Sequence, residues 1–333
     1  MFSKAKLILL GTLFTLALSI QTSNVYASTK TEVDVDKLYL SESSPAERSE
    51  FINSRLNSGD DNVTITTVNE FDLCKSIDKS RGILPNQDGS QTKAYLERIQ
   101  ELSTKDKSEL ANMGFSDVRI QAIQSAQNSS FNSKKLNSTV DSITSLIATS
   151  AGTTCNLYMI LDGYFYDHSF NGSKYKTLAY VTTGWNWSGM PLWTYDDGFA
   201  TAWSSSTNLQ LCQTSSAAEY YATNTNTYKY EDSYSKQAWN NRPVGLNGTS
   251  FEFQLGKSSG YNIYEYAKSG YSMNALMSTD FYVGSFTNSI LYAHAYTTVS
   301  PSFSISGEGK IDAGWSFEKV SETFPRTTLF EKR

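Results

Sequence analysis

From Gln91 to Leu102 the apolar side chains Tyr95, Leu96, Ile99 and Leu102 recur at i, i+1, i+4 and i+7, one stripe of an amphipathic helix. Ser103 with Asp106 three residues on has the form of a capping box and opens a second helix that runs to Met113. Gly114 supplies the left-handed residue that ends it, and Phe115 falls where a Schellman turn presses its ring against Leu110. Ser116 then caps a third helix carrying Val118, Ile120 and Ile123. Farther on, Leu136, Val140, Ile143, Leu146 and Ile147 repeat at helical spacing within a Ser/Thr-rich stretch. Ahead of these elements, Ser28 to about Asp61 is polar and acidic, which predicts little order apart from a short helix around Pro45 to Leu56.

The string from Leu110 to Phe115, followed by Ile120 and Ile123, resembles the first loop of a ubiquitin-associated domain. A Met-Gly-Phe turn joins any two short helices, so the resemblance implies local structure and carries no function or partner.

After residue 151 the period changes from 3.6 to 2. Runs rich in Tyr, Thr, Val, Phe and Trp alternate with Gly, Asn, Asp and Ser clusters, the pattern of an antiparallel sandwich or barrel. Strands are expected over 156–166, 175–187, 199–203, 220–230, 250–255, 262–267, 279–286, 290–299, 302–306 and 310–318. In the last pair Phe303 and Ile305 alternate with serines, Gly307-Glu308-Gly309 turns the chain, and Ile311, Ala313, Trp315 and Phe317 alternate again. The expected class is therefore α+β by segment. A helical N-terminal segment over 28–126, which also reads as a pro-region, and a linker over 127–151 precede an antiparallel β-sandwich or barrel-like domain over 152–333.

Composition follows the same break. Residues 28–150 hold six aromatic side chains and residues 151–333 hold 35, including all six tryptophans. Lys4 and Lys6 precede an uncharged apolar run from Leu7 to Ile20, and Val25-Tyr26-Ala27 supplies small residues at the cleavage positions, so residues 1–27 read as a secretory signal peptide. A membrane span needs about 20 apolar residues, and this run is shorter. Cleavage after Ala27 leaves 26 basic and 33 acidic groups, a net charge of −7. An acidic chain without a basic run argues against nucleic acid as a partner.

Three cysteines, Cys74, Cys155 and Cys212, allow one intrachain bridge in an oxidising compartment. Cys155 with Cys212 is the favoured pair, closing a loop of about 58 residues and worth about 4 kcal/mol in the chain-entropy model. Cys74 with Cys155 is the rival. No cysteines or histidines fall at zinc-ligand spacing, and neither a metal nor another cofactor is expected.

Catalytic signals are thin. The two histidines are His168, in a polar strand end, and His294, on a strand face shared with Tyr292 and Tyr296. Neither a Gly-x-Ser-x-Gly elbow nor a phosphate-cradling loop is present. Asp196-Asp197 before Gly198 is the main acidic pair, a common turn sequence that a glycosidase or a Ca²⁺ site would also use. The densest constellation is aromatic: Trp185 and Trp187 share one strand face, and Trp193 and Tyr195 follow in a loop with Gly189 and Pro191. If that face is inward, Trp185 and Trp187 are core, because a two-layer β domain buries its large rings; if it is outward, those four are the expected ligand-binding residues, with Trp193 the ring expected to reach solvent. The favoured reading is a secreted binding protein that recognises cell-surface carbohydrate or another extracellular protein through exposed aromatics. A membrane-active, pore-forming β protein and a secreted glycan hydrolase are the alternatives. For the pore, the alternation over 215–230 gives neither strand face a lipid-facing apolar row.

Overall fold

The computed structural model describes residues 33–40, 42–80, 82, 90–128, 142–193, 196–205, 208–224, 230–237, 239–243, 247–258, 263–294, 303–305, 311–313 and 319–320. The chain opens with helices α1 (Val35–Tyr39) and α2 (Pro45–Leu56), then strand β1 (Val63–Asn69) and helix α3 (Glu70–Ser80). Helices α4 (Gln91–Ser103), α5 (Lys107–Asn112), α6 (Asp117–Ser125) and α7 (Ser142–Ala151) follow, with a 3₁₀ turn after α6. Four long strands dominate the remainder: β2 (Thr154–Phe170), β3 (Ser173–Trp187), β5 (Gln210–Asn224) and β10 (Ile263–Ser278). The shorter strands are β4 (Asp196–Ser205), β6 (Tyr230–Gln237), β7 (Trp239–Pro243), β8 (Gly248–Gln254), β9 (Gly256–Ser258), β11 (Phe286–Ala293), β12 (Phe303–Ile305), β13 (Ile311–Ala313) and β14 (Lys319–Val320).

The fold is mixed helix and strand, and its sheets are antiparallel. Sheet A has the order β1-β2-β3-β10-β5-β6, with β9 also on β10; sheet B has the order β14-β11-β4-β8-β7. Neither order closes on itself among the described residues. Strands β2 and β3 form a hairpin whose two turn residues, Asn171 (φ 51°) and Gly172 (φ 76°), both take the left-handed conformation that a type I′ turn requires.

Local chemistry sets the helix ends. Ser44 caps α2 in a full capping box with Glu47, and Pro45 opens the helix. The cap of α5 is Asp106, paired with Glu109, whereas Ser103 closes α4 by donating to the Gln100 carbonyl. Gly114 has φ 84°, and the Phe115 amide donates to the Leu110 carbonyl at 3.2 Å, the expected Schellman bond.

From Val35 onward the chain is one compact unit, and its largest core joins both compositional halves. Phe71, Tyr95, Ile99, Leu110 and Ile120 from the helices pack in one cluster with Leu157, Trp185, Trp187, Phe251 and Tyr292 from the sheets. Strand β1 pairs with β2 over seven residues, so the N-terminal half supplies the edge of sheet A. The expected linker over 127–151 thus does not divide two cores; its described C-terminal part is α7, while residues 129–141 lie outside the described residues.

Helices α1 and α2 seat on the other face of sheet A. Leu38, Tyr39 and Ile52 are buried there among Tyr158, Ile160, Leu178, Tyr180 and Met273. The carboxylate of Asp162 is buried beneath them, accepts from Tyr39 at 2.7 Å and Thr182 at 2.5 Å, and lies 3.3 Å from Arg55. Burial pushes its pKa up to about 6, against the lowering effect of those partners.

Several strand expectations change. The strand expected over 262–267 runs on through Gly270 to Ser278, the one expected over 220–230 begins at Gln210 and ends at Asn224, the one expected over 290–299 begins at Phe286, and 281–285, expected as strand, is a loop. Gly270 is tolerated because the Trp185 ring lies over it: a Cβ there would meet Trp185 Cη2 at 2.0 Å.

Candidate functional site

The aromatic residues singled out by sequence are interior. Trp185 and Trp187 are both 0% exposed. Trp185 stacks on Phe253 at 4.3 Å and touches Phe199, Phe251 and Tyr292. Burying a ring of that size removes roughly 150–250 Å² from water, about 4–6 kcal/mol of favourable transfer, and an inward strand face takes that gain. Trp193 is partly buried against the same core with the Arg98 guanidinium 5.7 Å from its ring centre. Tyr195 lies outside the described residues. Trp185 and Trp187 therefore take the inward of their two readings and build the core, and they offer no stacking surface.

The cysteine pairing is corrected as well: no disulfide joins Cys74, Cys155 and Cys212. Strands β2 and β5, which carry Cys155 and Cys212, are separated by β3 and β10. Three strand spacings amount to roughly 14 Å, twice the reach of a disulfide. Cys155 is buried opposite Trp187, and burial raises its pKa well above the usual thiol value. The Cys212 sulfur lies 3.5 Å from the Tyr175 hydroxyl.

His294 and Asp197 do come together, and sequence gave no sign of their third member. His294 Nδ1 lies 2.9 Å from Asp197 Oδ2, and its Nε2 lies 3.7 Å from Glu70 Oε1 on α3. Tyr292 donates to Asp197 at 2.5 Å and accepts from Trp187 Nε1 at 2.9 Å. Glu70 also accepts the Leu192 amide at 2.6 Å, anchoring the loop after β3. Burial alone lowers the His294 pKa, but the charge and hydrogen bond of Asp197, then those of Glu70, raise it to about 10. An imidazolium therefore sits between two carboxylates. His294, Asp197 and Glu70 are each 0% exposed, so the cluster joins α3, β4 and β11 without presenting a surface to substrate. His168 lies elsewhere, 3.1 Å from Asp36 and stacked on Phe165.

The accessible chemistry is at the far end of sheet A. Phe281 and Tyr282, in the loop between β10 and β11, are 49% and 53% exposed. Sequence placed them in a strand, and what missed them was reading Thr279 to Phe286 as one β run. The loop is tied down on every side. Tyr164 and Tyr166 donate to the Val283 carbonyl, Thr177 donates to the Phe281 carbonyl at 2.8 Å, and the Val283 amide donates back to Thr177 at 2.9 Å. The Tyr282 ring is fixed as firmly. Its hydroxyl donates to Asp167 at 2.7 Å and accepts from Lys176 at 3.0 Å, and its ring meets Tyr166 edge-on at 5.3 Å.

Asp167 has φ 52°, a left-handed backbone within a strand. Aspartate tolerates that region better than most residues, and such outliers concentrate at functional sites. Hydrogen bonds from Tyr282 and Lys176 hold the Asp167 carboxyl below its ordinary pKa, and Tyr282 and Asp167 in turn raise the Lys176 ammonium. The result is an ordered aromatic ledge with a carboxylate and an ammonium at its rim. A flat ring edged by hydrogen-bonding charges is suited to a sugar face. No family model matches the chain, and no curated protein matches it.

Proposed function

We propose that this is a secreted binding protein whose two antiparallel sheets stack as a sandwich, and that it holds a cell-surface glycan against the Phe281–Tyr282 ledge. Secretion rests on the segment from Lys4 to Ala27, and the stacking on the contacts Trp185 makes from sheet A to Phe199, Phe251 and Phe253 of sheet B. The observation that carries the function is the half exposure of Phe281 and Tyr282 in a loop pinned to the sheet end. Exposed apolar rings are ordinarily mobile and adventitious; fixing one beforehand lowers the ordering cost of binding. The hydrolase alternative is weaker, since His294 and Asp197 have no exposed surface.

A microarray of cell-envelope oligosaccharides probed with the secreted protein tests this. Tyr282→Ala is expected to cost about 1–2 kcal/mol of affinity, the effect of truncating an aromatic anchor. Retention of full binding by both Tyr282→Ala and Phe281→Ala would move recognition elsewhere. Release of dye from glycan-free liposomes at the same protein concentration would favour the membrane-active alternative.

A further inference from the structure

Helices α1 and α2 form an arm over one face of sheet A, and an irregularity of strand β2 lies beneath it. Strand β2 pairs with β3 through Leu161 opposite Val181 and Gly163 opposite Tyr180, so Asp162 is an extra residue, a β-bulge. A bulge re-aims side chains. Here Asp162 turns under the arm, and Gly163, whose Cβ would meet the Phe165 ring at 2.5 Å, leaves room for its aromatic neighbours. The arm can lift without breaking either sheet: it precedes β1 in the chain, contributes no strand, and joins β1 through residues 57–62, where Gly59 takes φ 67°.

The Asp162 side chain is 0% exposed, so a carboxylate is built into the contact between arm and sheet. From α1 comes the Tyr39 hydroxyl, which also lies 2.8 Å from Thr182 of β3. From α2 comes Arg55, the cation among its partners, with Nε 3.3 Å from Asp162 Oδ1. Arg55 gives its shorter contact, 2.8 Å, to Asp60 in the turn before β1, so one guanidinium serves two carboxylates. The sheet adds the phenols of Tyr158 and Tyr180. A charged carboxylate there favours release of the arm, because water solvates it once the arm lifts, whereas a protonated carboxyl suits the hydroxyls of Tyr39 and Thr182. The folded pKa of about 6 against an ordinary 3.8 agrees: what Asp162 contributes to docking is complete below pH 3.8 and lost as pH rises through 6. The second titratable contact across the interface is Asp36 of α1, which accepts from Tyr180 at 2.6 Å and lies 3.1 Å from His168.

We infer that α1 and α2 are a pH-sensitive cover latched to sheet A through Asp162, closed in acid and lifting more readily toward neutral pH. Lifting bares the buried face formed by Tyr158, Tyr180, Tyr271 and Met273.

Hydrogen exchange of the full chain at pH 4.5 and 6.5, read by mass spectrometry on peptides spanning residues 35–56, tests it. Amides of the arm are expected to exchange faster than those of β3 and β10 at both values. Between the two, their exchange should gain about tenfold or more once the intrinsic pH dependence of exchange is removed. Asp162→Asn, neutral at both values, should abolish that gain with the arm held as in acid, and His168→Asn, across the same interface, should leave it in place. Should Asp162→Asn fail to fold, Arg55→Gln takes its place and should enlarge the gain, since the carboxylate then loses its cation. Arm amides that exchange only as slowly as the core overturn the cover, as does a wild-type chain without the gain. So does a gain that persists in Asp162→Asn, vanishes in His168→Asn or fails to grow in Arg55→Gln.

Discussion

Two places in this molecule are built from the same parts. In the core, Asp197 meets a cation, His294, and a tyrosine, Tyr292; at the sheet end, Asp167 meets a cation, Lys176, and a tyrosine, Tyr282. The first set is 0% exposed at its ion pair, with a second carboxylate, Glu70, on the far side of the imidazole. In the second, the side chains of Lys176 and Asp167 are 43% and 44% exposed. Solvent alone reverses their meaning. In the core each charge depends on the others, because an unpaired buried ion is costly; at the surface water screens the pair and its worth lies in where it holds the ring.

Removing the buried cation should therefore have the largest effect. His294→Ala leaves Asp197 and Glu70 facing each other without a cation, and chemical denaturation is expected to show a loss of about 3–5 kcal/mol. Gly270→Ala comes next. Its Cβ would lie 2.0 Å from the Trp185 ring, and overpacking of that kind costs about 1–3 kcal/mol; a thermal midpoint equal to wild type would mean that the Trp185 packing is not as described.

A smaller, graded effect is expected with pH. The His294 pKa of about 10 in the folded chain exceeds its ordinary 6.5, so its stabilisation is complete below pH 6.5 and lost as pH rises through 10. The groups facing it are Asp197, Glu70 and Tyr292, and Tyr292 is itself raised well above 10 by burial and then Asp197. Asp162 acts in the same direction at lower pH: its folded value of about 6 exceeds 3.8, so its contribution is present below pH 3.8 and lost through pH 6. Thermal midpoints should fall from pH 6.5 to 9.5, and His294→Gln should flatten that slope. The smallest stability effect belongs to the surface set: Tyr282→Ala should stay within about 0.5 kcal/mol of wild type.

How much of this was legible differs between the two places. Helix ends were readable because caps are local: Gly114 and Phe115 fall where their chemistry demands, and α2 spans the expected Pro45 to Leu56. The hairpin turn at Asn171-Gly172 was readable for the same reason. Strand β1 was not anticipated although Val63-Thr64-Ile65-Thr66-Thr67-Val68 is rich in β-branched residues, because its neighbours are helical and its partners on β2 lie 85 to 97 residues away. Asp197 and His294 were each visible as candidates, but Glu70 reaches them only through tertiary packing. Trp185 and Trp187 were readable as core or as surface, because alternation reveals that two rings share a face and not which face is covered; they are core. The 281–285 loop followed from neither propensity nor period; its aromatics mimic a strand, and hydrogen bonds from Tyr164, Tyr166 and Thr177 hold it out of one.

The most direct measurement is the equilibrium affinity of Tyr282→Ala for the best envelope glycan bound by the wild-type protein, taken together with its thermal midpoint. An exposed ring held for recognition predicts a loss of affinity of about 1–2 kcal/mol with the midpoint unmoved. Unchanged affinity, or a fall in affinity matched by a fall in the midpoint, would contradict it and make the surface set, like its buried counterpart, a support of the fold.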